Sequence, residues 1–414
     1  MSFKDLLLQS SKKEETVAIL DIGSSKIVCL IAKIHDGKVK IIGSGCQISS
    51  GFKNGNISDA SLAKDSIIAA VDQAERAASI TVETVTLALN GNKIRSHYLK
   101  PSMLLKRHKV SDLDASNLII QGIKELEEKG YEIIHYFPLE YIIDDNHGIK
   151  DLRGLLGDKI SANIHFVTVP SVQLENIINC LGQCQLDVKD CVFSPYTAGL
   201  AILNDSDKEL GSTVVDFGAG ITSYALFMHN KLVYTGFIPI GSNSITNDIS
   251  KSFMFDAATA ERIKTVHGAA TVNHRDKQNM INYVTADLEE RNISNAELNE
   301  VISARVEEIF IMLKTLLDKH YKLYPDAKHN LVFTGGGSML IDTIKQASKI
   351  FNSKVRLGKP VSVPGLSPSN VIATYSSAIG VLQYLSNKHK DTELDVNIKP
   401  SLLTRLTNWL KANF

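Results

Sequence analysis

Short apolar runs broken by polar turns open the chain. Val17 to Leu20 is followed by Asp21-Ile22-Gly23-Ser24-Ser25-Lys26, and Ile27 to Ile34 forms a second run. After Asp36-Gly37, Lys38 to Gly43 forms a third. A turn dipeptide between β-branched flanks marks a hairpin. The period then changes: Leu62, Ile67, Val71, Ala74 and Ala78 recur at helical spacing within Ala60 to Ser79. Thr84 to Leu89 reads as a strand closed by Asn90-Gly91.

From Asn92 to Asn163 the texture is more charged. It predicts two helical stretches, Asp114 to Lys129 being the clearer, and short strands at Glu132 to Phe137 and Tyr141 to Ile143. This segment is expected to be an inserted α+β subdomain. His165 to Val169 resumes a buried strand, Val172 to Cys184 a helix, and Val188 to Phe193 a strand ending at Ser194-Pro195. The opening pattern then repeats about 195 residues on: Ser212 to Val215, the turn Asp216-Phe217-Gly218-Ala219-Gly220, and strands Thr222 to Phe227 and Lys231 to Pro239. Such repetition predicts a duplicated architecture. Helices are expected over Asn243 to Lys322, with a hairpin-like break near Gly268. Asn330 to Phe333 is a strand leading into Thr334-Gly335-Gly336-Gly337-Ser338, followed by helices at Ile341 to Ile350 and Ser376 to Leu385.

Composition narrows the class. Of 414 residues, 44% are apolar and 22% charged, with 45 cations balancing 45 anions. That excludes wholesale disorder and disfavours a broadly basic nucleic-acid binder, so no nucleic-acid partner is expected. No apolar run of about 18 residues exists to span a bilayer. Met1 to Lys13 lacks the pattern of a signal peptide. The five cysteines are read as reduced thiols of a cytoplasmic protein, and Cys180 with Cys184 has no second ligand pair at zinc spacing.

A strand ending in Asp-x-Gly puts a carboxylate at its carboxyl edge and lets backbone N–H groups face a phosphate. Ser24, Ser25 and Thr222 add hydroxyls, and Lys26 adds charge. Asp21 and Asp216 are candidates to hold Mg²⁺ through water, because this ion favours one or two carboxylates plus phosphates. No Walker or dinucleotide-binding glycine pattern is present.

Asp21-Ile22-Gly23, Asp216-Phe217-Gly218-Ala219-Gly220 and Thr334-Gly335-Gly336-Gly337 resemble the two phosphate loops and the adenosine loop of the actin-like ATPases. With Leu87-Ala88-Leu89-Asn90-Gly91, the long insertion, Ala260 to Lys264 and His267-Gly268, the chain resembles the FtsA family of bacterial cell-division proteins. The resemblance implies an α/β fold of duplicated ribonuclease-H-like domains around a nucleotide cleft. The first domain would be 1–91 and 164–205 with a return helix at 376–387, and the insertion 92–163. The second would be 206–241 and 325–375, with a helical subdomain at 242–324. A linker at 388–400 would lead to an amphipathic membrane helix at 401–414.

The resemblance implies that ATP and Mg²⁺ are held by Asp21, Gly23, Ser24, Ser25, Lys26, Asp216, Gly218, Gly220 and Thr222. Gly335, Gly336, Gly337 and Ser338 would pack close to the nucleotide. Glu261 and Lys264, three apart on one helical face, would reach ribose and adenine; by spacing alone a surface ion pair reads equally well. Ile221 and Ser223 stand where the family pattern has Thr and Asp, and Ser194 stands where actin-like chaperones carry a water-orienting Glu. Slow hydrolysis or none is therefore expected, and no catalytic base is named.

Within Ser401 to Phe414, Leu402, Leu406, Trp409 and Leu410 form an apolar stripe flanked by Leu403 and Phe414, with Arg405 and Lys411 away from its centre. At 1.5 Å per residue the helix would be about 20 Å long, too short to span a bilayer but suited to lie in its surface. The expected role is an adaptor that polymerises and tethers the FtsZ C-terminal tail to membrane lipids, peripheral on the cytoplasmic face at the division site. A PilM-like pilus-assembly ATPase and a small-molecule kinase of the same superfamily remain open alternatives.

Overall fold

The computed structural model describes residues 14–105, 108–284, 290–328 and 330–387. The expected linker and the expected membrane helix, with Leu402, Leu403, Arg405, Leu406, Trp409, Leu410, Lys411 and Phe414, lie outside them. β1 (Glu15–Ile22), β2 (Lys26–His35) and β3 (Lys38–Ile48) form an antiparallel meander. A small hairpin, β4 (Phe52–Lys53) and β5 (Asn56–Ile57), leads to α1 (Ala60–Ala78). Asp59 caps this helix by accepting the Leu62 N–H, and Ala63, Ile67, Ala70 and Ala74 bury its apolar face. β6 (Thr84–Leu89) then runs parallel to β1.

Here the insertion begins. β7 (Arg95–Leu99), β8 (Ser102–Leu104), α2 (Asp112–Glu128), β9 (Tyr131–Ile143), β10 (Asn146–Ile149) and β11 (Lys159–Pro170) build one antiparallel sheet, ordered β10-β9-β11-β7 with β8 also on β11. α2 contributes Leu118, Ile119 and Leu126 to a separate core with Ile133 and Phe166. Of the two helical stretches expected here, α2 alone occurs among the described residues. The two short strands expected at Glu132 to Phe137 and Tyr141 to Ile143 are one strand. Pro138 falls where the β9–β11 register shifts, between Asn163 and Ile164. A bulge tolerates a residue without an N–H donor, so the proline does not end the strand. The boundary expected between 163 and 164 falls inside β11, whose far half pairs with β7 and β9.

α3 (Ser171–Gln183) returns the chain to β12 (Asp187–Phe193), which completes a five-stranded sheet ordered β12-β6-β1-β2-β3. α4 (Ser194–Ile202), with Pro195 in its first turn, and the short α5 (Asp205–Leu210) cross to the second half. There β13 (Ser212–Phe217), β14 (Thr222–Met228) and β15 (Lys231–Ile238) repeat the meander.

α6 (Ser242–Phe253) and α7 (Ala257–His267) follow, then the hairpin β16 (Met280–Val284) and β17 (Glu290–Ser294), and the long α8 (Asn295–His320). The hairpin therefore lies beyond the expected site near Gly268, which only closes α7 by donating its N–H to Lys264 O. β18 (Leu331–Thr334), α9 (Thr343–Phe351) and β19 (Val355–Leu357) complete a sheet ordered β15-β14-β13-β18-β19. Lastly α10 (Ser376–Asn387) buries Ala378, Ile379, Val381 and Leu382 in the first-half core. A Cβ at Gly380 would lie 1.8 Å from Thr197 O, so α10 and α4 meet at backbone contact.

The insertion also reaches the second half. Tyr98 Oη donates to Val233 O at 2.6 Å and Ser96 Oγ to Thr235 O at 2.9 Å, both carbonyls on the edge strand β15. Side chains thus occupy acceptors that a bare sheet edge would expose. No helix among the described residues is long and apolar enough to cross a membrane.

Candidate functional site

Strand register sets the site. Asp21 lies opposite Val28 on β2 and Ala88 on β6; Asp216 lies opposite Ser223 on β14 and Thr334 on β18. Each carboxylate therefore sits at the carboxyl edge of the central strand of its sheet, and the two edges face one cleft of about 570 Å³.

The turns after the aspartates close alike. Gly23 N–H donates to Lys26 O at 3.0 Å, and Gly218 N–H to Ile221 O at 3.1 Å. In the second turn the carbonyls of Gly218 and Ala219 accept N–H groups from Ser242 and Asn243 at the start of α6. A planar trans peptide carries its N–H opposite its C=O. The N–H groups of Ala219 and Gly220 are thus directed away from that helix. A Cβ at Gly220 would lie 2.6 Å from Ser24 Oγ, so the two turns approach to contact across the cleft.

The third turn needs its glycines for different reasons. Gly335 has φ +85°, and a Cβ there would lie 2.3 Å from Asp216 Oδ1. At Gly337 the Cβ would strike the Phe217 ring at 2.7 Å. At Gly336 it would meet only Thr374 Cγ2, at 3.5 Å, and otherwise enter open space in the cleft. A surface with no side chain facing empty volume suits close approach of a flat ligand.

Burial among protein atoms raises the Asp21 carboxyl to about 6, with Lys26 opposing the rise. Asp216 is raised to about 7, first by burial and then by the neighbouring Asp21, again opposed by Lys26. Burial lowers the Lys26 ammonium from its ordinary value, while Cys46 and both aspartates pull the other way. The Lys26 ammonium also sits 4.1 Å from the centre of the Tyr375 ring. Burial thus raises both carboxyls, and Asp21 adds to the rise at Asp216; a divalent cation beside them would favour the ionised form of both. No cluster of three or more His, Cys, Asp or Glu side chains suited to a metal occurs among the described residues.

Glu261 and Lys264 line the same cleft from α7. Lys264 is buried, and its Nζ bonds Glu261 Oε2 at 2.6 Å, Thr246 Oγ1 at 2.8 Å and Ser242 O at 3.3 Å. An ammonium has three donors. All are spent joining α7 to the start of α6, so Lys264 presents its stem to the cleft while the half-exposed Glu261 keeps an oxygen for a ligand.

Asp21, Gly23, Ser24, Ser25, Lys26, Asp216, Gly218, Gly220, Glu261, Lys264, Gly335, Gly336 and Gly337 all line the cleft. Thr222 and Ser338 do not. Thr222 is fully buried and donates to Ile240 O at 2.8 Å, because alternation along β14 turns it into the sheet. Ser338 is buried and donates back to Gly335 O at 2.6 Å, closing its own turn. Sequence reasoning missed Asn90 as a lining residue, and also Ser242 and the segment Ile372 to Thr374. Only Asn90 had a local signal, standing after a strand as the first residue of Asn-Gly.

Comparison with known proteins places this geometry. The family profile described as "Cell division protein FtsA" matches residues 213–380, and that for the "SHS2 domain inserted in FTSA" matches residues 91–168. A protein of Agrobacterium fabrum named "Cell division protein FtsA" is 31% identical over 390 residues, covering 91% of this chain and 88% of that one. A protein of the same name from Neisseria meningitidis is 30% identical over 418 residues, covering 97% and 100%. Among solved structures, the PilM-PilN type IV pilus biogenesis complex aligns with TM-score 0.63 at 13% identity, covering 89% of this chain and 98% of that one. MreB5 of Spiroplasma citri bound to ADP aligns with TM-score 0.55 at 14% identity, covering 91% and 99%. The fold is therefore the actin-like one, with an inserted SHS2 domain.

Proposed function

We propose that this chain, which belongs to the FtsA family of cell-division proteins, binds ATP in its cleft, polymerises, and tethers FtsZ to the inner face of the cytoplasmic membrane at the septum. The cleft carries the first part of this reading. Two Asp-x-Gly turns from duplicated sheets face each other across a space that Gly336 leaves open. The residues present fit ATP: amides and hydroxyls of the first two turns for phosphates, Lys26 for charge, Gly335 to Gly337 and Glu261 for the nucleoside. Asp21 and Asp216 would hold Mg²⁺ through water, with phosphate completing its shell, and the ion would supply charge neutralisation.

Hydrolysis is slow in this reading. Ser194 and Ser223 are hydroxyls that cannot act as bases near neutral pH, and neither aspartate is free of its charge-neutralising task. The insertion mediates subunit contact along the polymer, and the FtsZ tail docks on the subdomain spanning 242–324. The segment 401–414 anchors the chain in the plane of the membrane, where many copies along a polymer add avidity. The pilus-assembly alternative has likeness of fold only, at 13% identity, and no substrate carboxylate stands out for a kinase among the described residues.

Sedimentation of the full chain with anionic lipid vesicles, with and without ATP, tests the reading. ATP is expected to increase the pelleted fraction, and Trp409→Glu to abolish vesicle binding while ATP binding persists. A Trp409→Glu chain that pellets with vesicles as wild type does would refute the anchor.

A further inference from the structure

Beside the glycine turns, the floor of the cleft carries two neutral side chains that the reading above leaves unused. β6 and β12 run parallel, with Leu89 opposite Phe193 as their last pair. The next residues, Asn90 and Ser194, therefore leave adjacent strands side by side, at the strand spacing of about 4.8 Å. Both line the cleft, next to the edge where Asp21 lies opposite Ala88.

Their hydrogen bonds leave donors over. Asn90 Oδ1 accepts the Gly91 N–H at 2.9 Å and the Ser223 hydroxyl at 2.9 Å. Two donors aimed at one atom identify it as the amide oxygen, so the NH₂ group is the other terminus. No partner for that NH₂ occurs among the described residues. Ser194 is 2% exposed, and its hydroxyl is buried with no hydrogen-bond partner among the described residues. A buried hydroxyl left unpaired carries a desolvation cost, and that cost is recovered when a ligand supplies an acceptor.

We propose that the Ser194 hydroxyl and the Asn90 amide form a receptor for the terminal phosphoryl group of a nucleoside triphosphate, and so make the protein select triphosphate over diphosphate. The inference rests on the nucleotide reading of the cleft. Two neutral donors fit anionic oxygens, which accept and do not donate. They complement Lys26, the cation of the first turn, without adding charge beside the two aspartates. A diphosphate held by the same turns is one phosphoryl group shorter and leaves this pair unpaired. Asn90 also accepts from Ser223 of the second sheet, so the amide that meets the terminal phosphoryl group is held by both halves of the molecule.

Isothermal titration of the full chain with Mg-ATP and with Mg-ADP tests this. Wild type is expected to bind ATP more tightly than ADP. Ser194→Ala removes a hydroxyl that no described protein group uses, so folding is spared; ATP affinity should fall about threefold to tenfold, with ADP affinity within about twofold. Asn90→Asp keeps the oxygen that Ser223 and Gly91 need but replaces the donor with an acceptor, and should weaken ATP by more than about tenfold. Equal wild-type affinities, or variants that weaken both nucleotides alike or neither, would overturn the receptor while leaving the cleft assignment standing. A wild type that binds neither nucleotide would overturn the cleft assignment itself.

Discussion

Superposing the two halves on their aspartates sets Ser24, Ser25 and Lys26 of the first turn against Ala219, Gly220 and Ile221 of the second. The strand order and the turn hydrogen bond are the same in both, yet the side chains divide the work. The first turn brings hydroxyls and a cation. The second brings bare backbone whose carbonyls are tied to α6, and Ile221 is buried. On the neighbouring parallel strand, Ala88 and Thr334 both pair with the aspartate. Counting two residues on from each sets Asn90 against Gly336. One half offers an amide to the cleft and the other offers an absence of side chain. Duplication thus supplied a symmetric pair of edges, while the polar contacts stay on the first half and the close approach on the second.

The strongest way to break this division is to give the second half a side chain where it has none. Gly336→Val fills the open space of the cleft while the Cβ itself meets only Thr374 Cγ2 at 3.5 Å. ATP binding by calorimetry should fall below detection with the thermal melt nearly unchanged; unchanged affinity would remove the nucleoside from this wall.

A smaller effect comes from the shared carboxyls. Both aspartates titrate above their ordinary value of 3.8, at about 6 and about 7. A group whose pKa is raised in the folded state contributes stability that is full below its unfolded pKa and is lost as pH rises through the folded value. The ligand-free melting temperature should therefore fall between about pH 4 and pH 7 through these two groups. Asp216→Asn should flatten that fall, and an unchanged slope would show that the pair is ionised throughout.

The smallest effect concerns the insertion, the element without a counterpart in the second half. Tyr98→Phe removes its 2.6 Å bond to β15, and urea unfolding should register about 1 kcal/mol. No change would mean that this bond adds nothing to the hold of the insertion on β15, which the Ser96–Thr235 and His165–Leu232 bonds then carry.

The repeat was readable because each copy carries its own local signals: an apolar run, an aspartate, a glycine and a turn dipeptide. The insertion was visible as a change of texture, but its end was misplaced because β11 is apolar on both sides of Asn163 and gives no boundary signal. Pro138 hid the continuity of β9, since a proline in a strand looks like its end until a register shift in the partner absorbs it. Thirteen of the fifteen expected cleft residues line the cleft. Thr222 and Ser338 turn away from it, because a bond to Ile240 O and a local turn bond decide where their hydroxyls point. Ser242 and Ile372 to Thr374 were beyond reach. Tertiary packing alone carries them to the site, from the start of α6 and from the segment that returns to the first half.

The claim that both halves hold one nucleotide is tested most directly by hydrogen exchange with and without Mg-ATP. Protection should rise together at three separated places: the amides of residues 22–26, of 218–221 and of 335–338. Protection confined to one half, or absent from all three turns, would contradict the account.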